Sequence, residues 1–134
     1  IQDSPYAQTQ CPDLILSEHS TWKRIYLHRM KHSEICIAST GLHQSSGWKI
    51  AEYLAAGRAI VSEPLCYEVP GPFQAGENYL TYTSADGCIE QIRTLLAHPE
   101  QILQMGQRNR AYYDEWLRPD QIVAKALEQA KISL

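Results

Sequence analysis

Ile35-Cys36-Ile37-Ala38-Ser39-Thr40-Gly41-Leu42-His43-Gln44-Ser45-Ser46-Gly47-Trp48-Lys49-Ile50-Ala51-Glu52-Tyr53-Leu54-Ala55-Ala56-Gly57-Arg58-Ala59-Ile60-Val61-Ser62 is the stretch whose reading decides the fold. Residues 35–39 form a short β-branched apolar run, the pattern of a buried strand. Small residues follow and predict a turn. A short amphipathic helix should begin near Ser46, with Ser45 and Ser46 supplying N-cap oxygens and Gly47 allowing close backbone approach. Gly57 stands where a helix end favours positive φ. Ala59-Ile60-Val61 then starts a second buried strand. Two apolar strands joined by a helix make a βαβ unit, hence a parallel sheet. The expected class is α/β: a Rossmann-like three-layer domain with a small parallel sheet and the C-terminal helices packed on it.

That layout has a chemical consequence. First-turn helix amides have no internal partner, and the helix dipole adds partial positive charge there. A Ser-Ser-Gly turn at the carboxyl end of a strand is therefore a candidate phosphate site. Lys49 adds a full positive charge in the first turn. Glu52 lies six residues beyond Ser46, roughly 9 Å further along the axis. A carboxylate there can accept hydrogen bonds from a ribose diol. The same residues also fit an ordinary helix start followed by a solvated Lys–Glu pair.

The run Ser46-Gly47-Trp48-Lys49-Ile50-Ala51-Glu52-Tyr53-Leu54-Ala55-Ala56-Gly57-Arg58-Ala59-Ile60-Val61 resembles the donor-binding segment in the C-terminal half of GT-B type, group 1-like glycosyltransferases. That segment reads Gly, a variable stretch, Glu-Ala-Met/Leu-Ala-Ala/Cys-Gly, then an apolar strand. The resemblance implies that the chain is part of a glycosyltransferase that moves a sugar from a nucleoside diphosphate to an acceptor. Ser45, Ser46, Gly47 and Lys49 would hold the diphosphate, Glu52 the ribose, and His43 and Gln44 the sugar. In the family an acidic residue stands at the position matching Gln44, so here an uncharged amide makes that contact. The resemblance names no catalytic residue, metal or cofactor here. It implies two Rossmann-like halves, with the acceptor bound mainly by an N-terminal half that these residues do not include. Residues 1–134 would be a single domain, a partial C-terminal half, inactive alone. An upstream basic pair for the pyrophosphate has no convincing match in residues 1–33. Two other readings stand beside this one: a non-catalytic nucleotide- or sugar-binding module on the same fold, and another α/β enzyme such as a nucleotide-sugar epimerase of GT-B architecture.

Composition agrees with one soluble domain. The chain has 134 residues, 44% apolar and 20% charged, with a net charge of -3, which argues against a dedicated nucleic-acid binder. Cys11, Cys36, Cys66 and Cys88 are too widely spaced for a zinc site or a disulfide framework. Cys36 reads as a buried free thiol, which suits a reducing cytoplasmic setting, in solution or peripheral at a membrane. No apolar run reaches membrane-spanning length, and no signal-peptide pattern is read. The opening Ile1 suits a piece of a longer protein.

Elsewhere, residues 1–13 read as an irregular lead-in, and Leu14-Ile15-Leu16 as a short buried strand. A helix is expected from about Thr21 to Lys31, its apolar stripe Trp22, Ile25, Tyr26 and Met30. Its Lys23, Arg24, His28, Arg29, Lys31 and His32 either steer an anion or form a solvated face. Three prolines keep Glu63 to Pro72 irregular, and Glu63, Tyr67 and Glu68 can face the crevice. A turn and then a β-prone run over Gly76–Tyr82, a helix from Ser84 or Asp86 with Ile89, Ile92, Leu95 and Leu96 inward, and two further helices complete the chain. Breaks fall at His98-Pro99 and Arg118-Pro119. The last helix carries the stripe Ile122, Val123, Ala126, Leu127 and Ala130. With a single strand read before the central unit, part of the sheet or one helix face is expected to be left uncovered and to let the chain self-associate.

Overall fold

The structure is a computed structural model and describes residues 3–132. The chain divides into two compact units, Ile1–Ser33 and Glu34–Leu134.

In the first unit, α1 spans Pro5–Gln10, where an irregular lead-in was expected. Pro5 opens the helix instead of breaking it, since a first helical position needs no amide donor. Ser4 caps it, its Oγ accepting from Ala7 N at 3.1 Å. The expected strand at Leu14–Leu16 does not form. Pro12–Leu14 is a 3-10 turn, closed by Ile15 N donating to Pro12 O at 3.2 Å. Leu14 and Leu16 are 60% and 47% exposed. A three-residue apolar run gains little as a strand when no other strand pairs with it. A second 3-10 turn, Glu18–Thr21, leads into α2, Lys23–His32. Met30 of the expected stripe is buried, Ile25 and Tyr26 are half-buried, and Trp22 is exposed. The six basic residues and histidines of this helix are all exposed.

The second unit carries the sheet. β1 is Ile35–Ala38, β2 is Ala59–Ser62 and β3 is Leu80–Thr81. All run parallel in the order β1-β2-β3. Ile35 pairs with Ala59 and Ala38 with Ser62, so the first two strands end level at their carboxyl ends. The central strand β2 is buried along its whole length, whereas Ile37 on the edge strand is 47% exposed. The crossover helix α3, Trp48–Ala55, packs against β1 and β2 through buried Ile50, Tyr53 and Leu54. Tyr53 Oη donates to Ile37 O at 3.2 Å.

α3 ends as expected at Gly57, φ 62°. Gly57 N donates to Leu54 O and Arg58 N to Tyr53 O, both at 3.0 Å, the paired bonds of a Schellman cap. α4, Ala85–Ala97, starts on a Ser84 cap whose Oγ accepts from Gly87 N. Pro99 opens α5, Pro99–Tyr112. Leu95 of α4 and Met105 of α5 close on Ala59 and Val61 to form the core under the sheet. Ile89 and Leu96, expected to face inward, are exposed. A π-helical turn, Tyr113–Leu117, joins α5 to α6, Pro119–Ile132, whose Ile122, Val123 and Leu127 are also exposed. The result is the Rossmann-like α/β layering expected, with a small parallel sheet and helices packed on it. No helix among the described residues is long and apolar enough to cross a membrane.

Candidate functional site

The carboxyl ends of parallel strands are where open α/β sheets place ligands. Here that edge is built from the segments leaving β1 and β2. After Ala38 the chain runs through Ser39 and Thr40 into a tight turn, Leu42–Gln44. His43 (φ 57°) and Gln44 (φ 60°) are both left-handed, an uncommon state for residues with a side chain. The turn is closed by Gln44 N donating to Gly41 O at 3.0 Å and Gly41 N to Ser45 O at 2.8 Å.

This geometry corrects the expected helix start. Neither Ser45 nor Ser46 is the N-cap. Gly47 is (φ -68°, ψ 157°), and among the described residues there is no side-chain capping bond at the start of α3. The left-handed pair uses Ser45 to close the turn, which delays the helix by a residue. Gly47 is not there for positive φ, and a Cβ on it would meet only Ser39 O, at 3.7 Å. Ser45 and Ser46 are exposed beside it, and Lys49 is exposed in the first helical turn. Glu52 sits half-buried in the second turn. His43 and Gln44 are exposed at the turn, and Tyr67 Oη donates to His43 O at 3.1 Å. His43, Gln44, Ser45, Ser46, Gly47 and Lys49 lie on the loop-to-helix segment that follows β1.

Thr40 and Tyr82 join the expected Glu63 here, and neither was singled out in the sequence. Thr40 N and Thr40 Oγ1 both donate to Glu63 Oε2 at 2.7 Å. These two donors hold the Glu63 carboxyl below its ordinary pKa, since both favour the charged form. Tyr82 Oη donates to Ala38 O at 3.0 Å, and burial followed by the Glu63 charge raises its pKa. Residues just beyond all three strands therefore meet at one edge. The nearness of Thr40 to Glu63 follows from the register that the structure supplies: Ala38 pairs with Ser62, so the residues that follow on both strands lie close.

An apolar pocket of ≈ 220 Å³ opens beside Ser46, Gly47 and Trp48, walled by Ile50, Leu54 and residues of the 63–79 segment and the end of α5. Trp48 at its rim is 91% exposed. Lys49 and Glu52 do not line it. Among the described residues no group of His, Cys, Asp and Glu side chains is arranged to hold a metal ion.

No curated protein and no solved structure matches the chain. A protein-family model described as glycosyl transferase-like matches residues 12–134. The match spans the βαβ unit, the segments that meet at its carboxyl edge and every helix from α2 onward. The chain therefore belongs to the glycosyl transferase-like family.

Proposed function

We propose that this chain is the donor-binding part of a glycosyltransferase of GT-B architecture and receives a nucleoside diphosphate sugar at the carboxyl end of β1. The supporting observation is the parallel β1–α3–β2 unit, in which the 39–47 segment delivers an α3 N-terminus that has no side-chain cap among the described residues. In this reading the first-turn amides, with Ser45, Ser46, Gly47 and Lys49, hold the diphosphate. Glu52 accepts from the ribose hydroxyls, and His43 and Gln44 approach the sugar. As the glycosidic bond breaks, negative charge grows on the departing diphosphate. Amides and an ammonium already aimed at it stabilise that charge without reorganising. The acceptor is held mainly by the other half of such an enzyme. Four free thiols suit a cytoplasmic setting.

One observation favours a second reading, a binding module without transfer activity: an amide, Gln44, stands where the family carries an acid. Titration of the isotopically labelled chain with UDP, GDP, ADP and TDP, followed by amide chemical shifts, tests the proposal. Saturable shifts centred on residues 46–52 with one of the four are expected. The absence of shifts there with all four at millimolar concentration would reject it.

A further inference from the structure

We infer that Glu63 is the positioning residue for the turn at the end of β1: from the end of β2 it fixes the backbone on which the donor site is built. The inference rests on the donor reading for its functional consequence, but not for its geometry. Glu63 directly follows β2, and Glu63 N lies 3.4 Å from Ala38 O, which continues the ladder past the strand ends. One of its carboxylate oxygens takes both donors of Thr40, amide and hydroxyl, at 2.7 Å each. A carboxylate with two donors on one oxygen defines direction as well as distance. Thr40 is therefore anchored immediately before Gly41 begins the turn.

The turn needs such an anchor. Left-handed backbone at a residue with a side chain persists only where the surroundings hold it. His43 and Gln44 are two such residues in succession. Beyond the turn's own backbone bonds, a restraint comes from the same segment as Glu63: Tyr67 Oη, four residues on, donates to His43 O. Prolines at 64, 70 and 72 stiffen that segment. The 63–72 segment thus grips the turn at Thr40 and at His43. The two grips restrain the chain that leads into Gly47 and the first amides of α3. Glu63 is acidic beside a proposed anion site, but its charge is directed at Thr40.

The test uses four variants of the chain. Glu63→Ala removes the acceptor. Glu63→Gln keeps a neutral oxygen able to take both Thr40 donors. Tyr67→Phe removes the second grip, and Thr40→Ser retains both donors. Amide hydrogen exchange is read at residues 40–47, and nucleotide affinity by titration with the best-binding nucleoside diphosphate. Glu63→Ala should raise exchange at residues 40–45 at least about tenfold and weaken nucleotide binding by about tenfold, the scale expected for losing hydrogen bonds to a charged group. Glu63→Gln and Thr40→Ser should restore most of both, and Tyr67→Phe should loosen residues 43–45 alone. Unchanged exchange in Glu63→Ala overturns the clamp. Faster exchange with undiminished affinity overturns its role in positioning the donor turn. If the unaltered chain binds no nucleotide, the donor reading fails, and exchange alone decides whether Glu63 positions the turn. Should Glu63→Ala fail to fold, Thr40→Val, which removes the hydroxyl donor to Glu63 and keeps the side-chain shape, takes its place: faster exchange at residues 40–45 is expected, and unchanged exchange overturns the clamp.

Discussion

Asn78 and Asn109 face each other in the interior, with Asn78 Nδ2 donating to Asn109 Oδ1 at 3.1 Å. Asn109 Nδ2 also donates to Arg58 O at 2.8 Å and Asn78 O at 2.9 Å. Asn78 Oδ1 accepts from Gln74 N. One side chain of α5 thus ties the entry to β2 to the turn before β3, and both side chains are fully buried. Asn109→Leu would strand two carbonyls and an amide away from water. Each buried group left unpaired costs about 1–3 kcal/mol, so with three of them denaturant unfolding should show a loss of at least about 3 kcal/mol. A loss under about 0.5 kcal/mol would show that the network is not structural.

Gly106 is where α5 meets the Schellman turn. A Cβ there would sit 2.6 Å from Gly57 O, a backbone atom with little freedom to move. Gly106→Ala should therefore cost about 1–3 kcal/mol, as overpacking does, although alanine is the better helix former. A stabilised variant by thermal melting would mean that α5 does not press on this turn.

Glu63 links stability to pH. Its folded pKa lies below the ordinary value because Thr40 donates to the charged form. A depressed carboxyl contributes stability that is complete above its unfolded pKa and disappears as pH falls through the folded one. The melting difference between the unaltered chain and Glu63→Gln should therefore be largest near neutrality and shrink below about pH 4. A difference that stays constant from neutral to acid pH would contradict the Thr40 bonds.

The thiols should separate by environment. Burial pushes Cys36 up to about 11, whereas Cys66 is exposed. Because the thiolate is the reactive form, a maleimide at neutral pH should modify Cys66 quickly and Cys36 only on unfolding. Mass spectrometry of labelled peptides reads this directly, and fast labelling of Cys36 in the folded chain would refute its placement in β1.

The parallel unit was legible because β1 and β2 carry β-branched runs and Gly57 marks the helix end. Ser84 and Pro99 likewise announced α4 and α5. Misreadings arose where local signals compete. Pro5 opens a helix as readily as it ends one, and Leu14–Leu16 has apolar side chains but no strand to join. The N-cap moved from Ser46 to Gly47 because of the left-handed pair before it. Histidine at 43 belongs to the types enriched in that state, but Gln44 has no such signature. The Glu63–Thr40 bond joins residues 23 apart in sequence and emerges only once the strand register is known. The stripe on α6 was real as a pattern, yet the described residues leave it exposed.

Glu52 is where the donor account is most exposed to test. Calorimetric titration of the unaltered chain and of Glu52→Gln, each with the nucleoside diphosphate that binds best and with thermal melts to confirm folding, is the most direct measurement. If the carboxylate accepts the ribose diol, the substitution removes the charge-assisted part of those bonds, about 1.5–3 kcal/mol. Affinity should then fall about ten- to a hundredfold. Equal affinity in a folded Glu52→Gln chain would contradict the account.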